Sequence, residues 1–205
     1  MKQLLRKAKR KTLSYLGAYI IKRWEKAGKP VPPPYEYKQS VIRDYQKKSG
    51  HHILIETGTY LGDMVEAQKK FFKRVYSIEL SPVLFKKAQQ RFRRRPHIQI
   101  LEGDSSIILK EVLAKIDEPC IFWLDGHYSA GITAKGNKEC PVFEELSAIF
   151  TSKKFPHILL IDDARLFGVQ NDYPTISELK TFILENSAGA TFLAENDIIR
   201  VCLPS

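Results

Sequence analysis

Five short apolar runs, separated by segments of helical periodicity, leave this chain few folds to choose from. The runs are "HILIET" (52–57), "RVYSIEL" (74–80), "HIQILEGD" (97–104), "CIFWLDG" (120–126) and "HILLIDD" (157–163). Helical segments follow each: one to about residue 72, then "SPVLFKKAQQRFRR", a stretch near 106–116, "PVFEELSAIF" and "TISELKTFILEN". Ser81 as cap and Pro82 at the first helical position mark a clean helix start. Strands this apolar, alternating with helices, predict a parallel sheet buried on both faces. The last stretch, "ATFLAENDIIRVCLP" (190–204), breaks the rhythm, with only Glu195 to Asp197 between two strand-like runs. That gap is too short for a crossover helix, so the pair must be a hairpin, and one terminal strand runs antiparallel. The expected fold is α/β: a mostly parallel seven-stranded sheet, closed by an antiparallel hairpin, with helices on both faces.

Charge divides the chain in two. The formal net charge of +10 suggests a nucleic-acid partner, but residues 1–50 hold 14 Lys and Arg against 3 Asp and Glu, while the rest holds 19 against 20. The positive excess therefore belongs to the N-terminal arm and not to the globular part, which argues against a basic groove over the site. Leu4, Leu5, Ala8, Leu13, Leu16, Ile20 and Trp24 recur among the arm's cations at roughly helical spacing. A basic amphipathic helix over residues 1–30 can lie on an anionic membrane, pack on a partner or cover its own domain. "KPVPPPYEY" (29–37) reads as a semi-rigid linker because its prolines remove donors and fix φ. The organisation expected is an arm at 1–30, a proline-rich linker and lead-in helix at 31–50, and a domain at 51–205. No apolar run approaches the roughly 20 residues that span a bilayer, and no signal-peptide pattern is present. A cytoplasmic protein is expected, with peripheral contact at the inner membrane surface open to the arm. Cys120, Cys140 and Cys202 lack CxxC spacing, so reduced thiols are the simplest expectation.

The acids lie where a doubly wound sheet binds ligands, beyond the carboxyl ends of its strands. Glu56, Glu79, Asp104 and Asp125 close the first four strands. Between Glu56 and the next helix stands Thr57-Gly58-Thr59-Tyr60-Leu61-Gly62, whose two glycines allow close approach of a ligand to the backbone. Glu79 follows 23 residues after Glu56, the distance at which a carboxylate reaches ribose hydroxyls. The loop is not the G-x-G-x-x-G of dinucleotide sites, and an acid at its entrance would repel a pyrophosphate. Glu56 suits instead the ammonium and sulfonium of S-adenosylmethionine. "EGDSS" (102–106), with Gly103, Asp104 and Ser105, is placed for the adenine edge, and Leu80 beside Glu79.

These three motifs in order, with the terminal hairpin, resemble class I methyltransferases and their Rossmann-like fold. The resemblance implies a cofactor set of Glu56, Gly58, Thr59, Tyr60, Gly62, Glu79, Leu80, Gly103, Asp104, Ser105 and Asp125. Two further segments, "FWLDGHYS" (122–129) and "LLIDDAR" (159–165), end strands that should be neighbours. Asp125, Asp162 and Asp163 form a hard oxygen set suited to Mg²⁺ or a similar ion. Consecutive strand residues point to opposite faces, so Asp162 and Asp163 converge only if the chain leaves the strand before them.

Here the sequence resembles the macrocin-type metal-dependent sugar O-methyltransferases. Their L-D-G-D-x-Y-x-S/T segment supplies a metal-binding Asp and a base, and a later strand ends in an aspartate pair. The resemblance implies Asp125, Asp162 and Asp163 as Mg²⁺ ligands. His127 stands at the base position in place of Asp, and neutral imidazole is a competent base near pH 7. A fourth ligand, a different substrate or lost activity is equally open for the change to His127. Over roughly residues 31–204 the chain is also similar to a group of bacterial methyltransferase-like proteins, through "ETGTYLGD", "YSIELS", "GDSS", "FWLDGHYS", "TAKG" and "LIDDARLF". Residues 128–140 suit a lid, with Lys135 and Lys138 available to an acidic acceptor. The expected activity is metal-assisted O-methylation of a small or saccharide-like hydroxyl. A non-catalytic S-adenosylmethionine-binding module stays open. A nucleic-acid methyltransferase is disfavoured, because L-D-G-H replaces the [ND]-P-P-[YF] of amino-group methylation.

Overall fold

A computed structural model describes residues 15–125, 140–152, 154–170 and 172–204. Seven strands form one sheet in the order β3-β2-β1-β4-β5-β7-β6. These are β1 (Ile53–Thr57), β2 (Arg74–Glu79), β3 (Ile98–Glu102), β4 (Cys120–Leu124), β5 (Ile158–Ile161), β6 (Thr191–Glu195) and β7 (Ile198–Cys202). The first five are parallel, while β7 runs antiparallel to both β5 and β6. Chain order reverses direction across the sheet between β1 and β4, and that switch point opens a crevice at their carboxyl ends.

Helices occupy both faces: α1 (residues 15–26), α2 (Tyr35–Ser49), α3 (Asp63–Gln68), α4 (Pro82–Phe92), α5 (Ser105–Leu113), α6 (Val142–Thr151) and α7 (Ile176–Asn186). Alternation along the strands divides the core in two. Ile53, Ile55, Phe122 and Leu124 join Leu109, Leu146 and Leu179 of α5, α6 and α7. Leu54, Ile121 and Trp123 join Ile42, Val65 and Phe92 of α2, α3 and α4. Phe122 and Trp123 are thus core residues, as their central strand demands. Truncating either to Ala should cost about 3–5 kcal/mol.

Helix starts follow local chemistry. The Ser81 hydroxyl accepts from the Leu84 amide (3.5 Å), and Thr175 and Glu178 form a reciprocal capping box on α7. The hairpin turn is Asn196-Asp197, with φ of 49° and 65° at consecutive residues, the conformation that matches strand twist in two-residue turns.

The described part of the arm is helical, and the lead-in helix expected within 31–50 is α2. α2 begins at Tyr35, directly after the proline run, and buries Val41 and Ile42 in the core. In α1, Trp24 is buried, donates to the Pro30 carbonyl (2.7 Å) and lies 4.6 Å from the Tyr37 ring. Tyr15, Leu16 and Tyr19 point outward instead. The described part of the arm therefore covers its own domain with one stripe and leaves a second exposed. No helix among the described residues is long and apolar enough to cross a membrane.

Candidate active site

The loop after β1 is closed from two sides. Gly58 (φ 83°) and Thr59 donate to the Ile78 carbonyl at 3.0 and 3.2 Å. The Tyr60 amide donates to Glu79 Oε2 (2.7 Å), and the Ser81 amide to Glu79 Oε1 (2.8 Å). Glu79 at the end of β2 is thus the staple between the loop and the following helix, and burial raises its pKa against the lowering effect of those amides. Gly62 has φ 78°, and a Cβ there would meet the Phe92 ring at 2.7 Å. Its glycine is required by packing and by the start of α3.

Glu56 is buried at 2% exposure. Its Oε2 accepts from the Ser77 hydroxyl, which in turn lies 2.6 Å from Thr59 Oγ1. Burial, then the charges of Asp125 and Glu79, push its pKa up to about 8. No cation bonds it among the described residues. Glu56, through Ser77 and Thr59, and Glu79, through the Tyr60 amide, are thus tied to the same loop.

The third motif forms as well. Gly103 follows β3 and donates to the Glu79 carbonyl (2.9 Å). Asp104 caps α5, accepting from the Ser106 amide (2.9 Å) and hydroxyl (2.7 Å), with Ser105 buried beside it. Glu145 of α6, which no sequence motif singled out, is buried against this corner. Burial raises its pKa to about 7, moderated by hydrogen bonds to Ser105 and Thr57 and raised further by Asp104 and Asp125.

At the other edge, Asp125, Asp162 and Asp163 offer carboxylate oxygens within 4.8 Å of one another. The convergence has a definite cause. β4 stops at Leu124 and β5 at Ile161, so all three acids stand beyond the pleat. Asp163 then turns into the left-handed region (φ 55°, ψ 45°), rare for a non-glycine residue. Its neighbours hold it there: the Ala164 amide donates to the Asp197 carbonyl (3.0 Å), and the Arg165 amide to Asp197 Oδ1 (2.8 Å). The hairpin turn thus pins the loop that carries the aspartate pair. Arg165 also bonds Asp163 Oδ1 (2.7 Å) and pairs with Asp197, so its guanidinium offsets the charge of both.

Sequence reasoning missed two groups here. Lys38 of α2 reaches Asp162 Oδ2 (2.6 Å) and Asp163 Oδ1 (2.9 Å). Burial works against its ammonium, but the two aspartates outweigh that and hold its pKa above the ordinary lysine value. Asp162 is itself shifted upward by burial and by the charges of Asp125 and Asp163, with Lys38 opposing. Tyr35, one turn earlier, is shifted upward by burial and by Glu56, Asp125, Asp63 and Asp162. Both stand in a segment whose prolines read as linker, so no periodic signal pointed to them. His127 and the 128–140 lid with Lys135 and Lys138 lie outside the described residues, apart from buried Cys140. His157 is a core residue, its Nδ1 accepting from the Cys120 amide (3.0 Å) and its pKa lowered by burial to about 4.

Comparison of the fold places it among known structures. An O-methyltransferase from Bacillus cereus, solved with S-adenosylhomocysteine, matches at TM-score 0.61 and 13% identity over 92% of this chain and 90% of that one. The S-adenosylhomocysteine-bound methyltransferase PaMTH1 of Podospora anserina matches at 0.60 and 14% over 95% and 96%. The chain has the fold of the class I S-adenosylmethionine-dependent methyltransferases. A third methyltransferase, TomG of Streptomyces achromogenes, an O-methyltransferase of tomaymycin synthesis, matches at 0.57 and 13% over 92% and 89%. No family model matches the sequence, and neither does any curated protein.

The residues fit the cofactor that this methyltransferase fold implies. Glu56 is an acid buried without a cation, beside a switch-point crevice, and Glu79 holds the loop that borders it. The hard carboxylate triad likewise fits a divalent ion by donor chemistry. The ammonium of Lys38 stands among those oxygens.

Proposed function

We propose that the protein is an S-adenosylmethionine-dependent methyltransferase acting on a hydroxyl group of a small or saccharide-like acceptor, with divalent-ion assistance. One observation carries the cofactor assignment: Glu56, buried at the switch point with its pKa raised to about 8, has only a hydroxyl for a partner among the described side chains. A cationic amino-acid moiety would supply the charge it lacks. Glu56 would bind the ammonium, Glu79 the ribose hydroxyls, and Asp104 with Ser105 the adenine edge. The cofactor supplies a methyl group already activated on sulfonium, so the protein's contribution is positioning and proton removal. The likeness to O-methyltransferases solved with cofactor product supports this reading.

Asp125, Asp162 and Asp163 would hold the ion, whose chemistry is to lower the pKa of a bound hydroxyl. His127 is assigned as the base, on its position two residues after Asp125. It would take the acceptor proton, so that the hydroxyl oxygen could accept the methyl group the cofactor would supply, with S-adenosylhomocysteine as the leaving group. Calorimetry with S-adenosylmethionine, with and without Mg²⁺, tests the assignment. Micromolar binding by the wild type, weakened about 10- to 100-fold in Glu56→Gln, is expected, and failure of the wild type to bind the cofactor at all would end the enzymatic reading. His127→Ala should abolish transfer while leaving cofactor affinity unchanged.

The exposed stripe Tyr15, Leu16 and Tyr19, with six cations in residues 1–14 and four more to residue 30, fits peripheral contact with an anionic bilayer. An acceptor presented at that surface would suit such an arm.

A further inference from the structure

The acid triad at the carboxyl ends of β4 and β5 is not a bare set of ligands. Lys38 Nζ stands 2.6 Å from Asp162 Oδ2 and 2.9 Å from Asp163 Oδ1, so two of its three hydrogens are committed to the oxygens a divalent ion would take. The Asp163 amide occupies Asp162 Oδ1 (2.8 Å), and Arg165 shares Asp163 Oδ1 (2.7 Å). An ammonium and a divalent cation cannot occupy one cluster of this size, since like charges about 3 Å apart repel strongly in a desolvated site. The two cations therefore exclude each other.

Geometry also shows that Lys38 is held there deliberately by its helix. α2 is anchored in the core by Val41 and Ile42, and Tyr37, next to Lys38, stacks on Trp24. The Tyr37 hydroxyl accepts from Asn196 (2.9 Å) and Arg200 (3.1 Å) of the terminal hairpin. Backbone position is fixed, while the four-carbon stem keeps the ammonium rotatable, and its side chain retains 12% exposure towards solvent. It has a way out that does not require α2 to move.

We propose that Lys38 is the built-in counter-cation of this site, that a divalent ion enters only by displacing it, and that Lys38 thereby sets the metal affinity. The inference rests on Asp125, Asp162 and Asp163 being the ion-holding set. In the ion-free protein Lys38 keeps three crowded acids compatible with folding; on metal entry its ammonium is released at the mouth of the site, beside Tyr35. Removing the tethered charge should therefore tighten metal binding and weaken the ion-free fold, two effects of opposite sign from one substitution.

The test is Mn²⁺ titration of the full chain, read by the electron paramagnetic resonance of free Mn²⁺, for the wild type, Lys38→Met and Lys38→Arg. Lys38→Met is expected to bind Mn²⁺ at least tenfold more tightly than wild type. In chelator it should melt lower than wild type and regain more melting temperature on adding Mn²⁺. Lys38→Arg keeps the charge and folds even if the Met variant does not; it should bind Mn²⁺ no more tightly than wild type. Equal or weaker Mn²⁺ binding by Lys38→Met, or tighter binding by Lys38→Arg, overturns the proposal. Absence of Mn²⁺ uptake by all three at several millimolar overturns it together with the metal reading. S-Adenosylmethionine binding, measured separately by calorimetry, still reports on the cofactor assignment.

Discussion

The two acid edges of this sheet are built on opposite principles. At β1 and β2, Glu56 and Glu79 are satisfied by neutral donors: a serine hydroxyl and two backbone amides. At β4 and β5, Asp162 and Asp163 are satisfied by full cations, Lys38 and Arg165. A buried acid with neutral donors lowers its desolvation cost by binding a proton, and its pKa rises. A buried acid with a tethered cation has its charge offset locally, although burial and the neighbouring acids still raise the pKa of Asp162, and its partner must leave when another cation arrives. In the proposed function the first edge would take a cationic ligand and release only a proton to receive it. The second already contains its cation and can admit a new one only by exchange.

Breaking the second edge should have the larger effect on stability. Asp162→Asn leaves Lys38 only partly compensated in a site where Asp162 is 4% exposed, and should lower unfolding free energy by about 3 kcal/mol, measured by urea unfolding. If the loss equals that of Glu56→Gln at pH 7, the contrast between the edges fails. Breaking the first edge acts on the ligand instead. Glu56→Gln should weaken S-adenosylmethionine about 10- to 100-fold, the worth of one charge-assisted hydrogen bond, with stability at pH 7 no lower than wild type.

The pH dependence follows with a definite sign. Glu56 has a folded pKa of about 8 against an ordinary 4.5, so between those values the folded state holds more protons than the unfolded one. Its contribution to stability therefore falls as pH rises through that window, by at most about 1.4 kcal/mol per unit. Glu145, raised to about 7, acts in the same direction over a narrower range. Glu56→Gln should flatten the decline most visibly between about pH 5.5 and 7, where the folded group holds its proton and the unfolded one has lost it, so an unchanged profile would place Glu56 in a polar setting after all. The same proton gives a finer test. Cofactor binding near pH 7 should release close to one proton, read by calorimetry in buffers of different ionisation enthalpy, and Glu56→Gln should abolish that release. The smallest effect concerns neither edge. Leu16→Glu with Tyr19→Glu should leave folding and cofactor binding unchanged and reduce sedimentation with anionic vesicles several-fold.

Local pattern determined the strands, the helix starts, the terminal hairpin and the identity of the acids at the strand ends. Those follow from alternation, capping chemistry and loop length, which are properties of neighbouring residues. Position along a strand also predicted that Glu56, Glu79, Asp104, Asp125, Asp162 and Asp163 would share one edge, because parallel strands bring their carboxyl ends together. Whether Asp162 and Asp163 converge was settled by where β5 stops and by the Asp197 turn that holds Asp163 left-handed, through contacts between residues 32 and 33 positions apart in sequence. Lys38 was invisible for the same reason. It lies more than 120 residues from its partners, in a segment whose prolines speak only of local backbone, and only the packing of α2 against the sheet brings its ammonium to them. Sequence fixes what each residue can do with its neighbours in the chain; which distant charges must share a buried volume is decided by the fold.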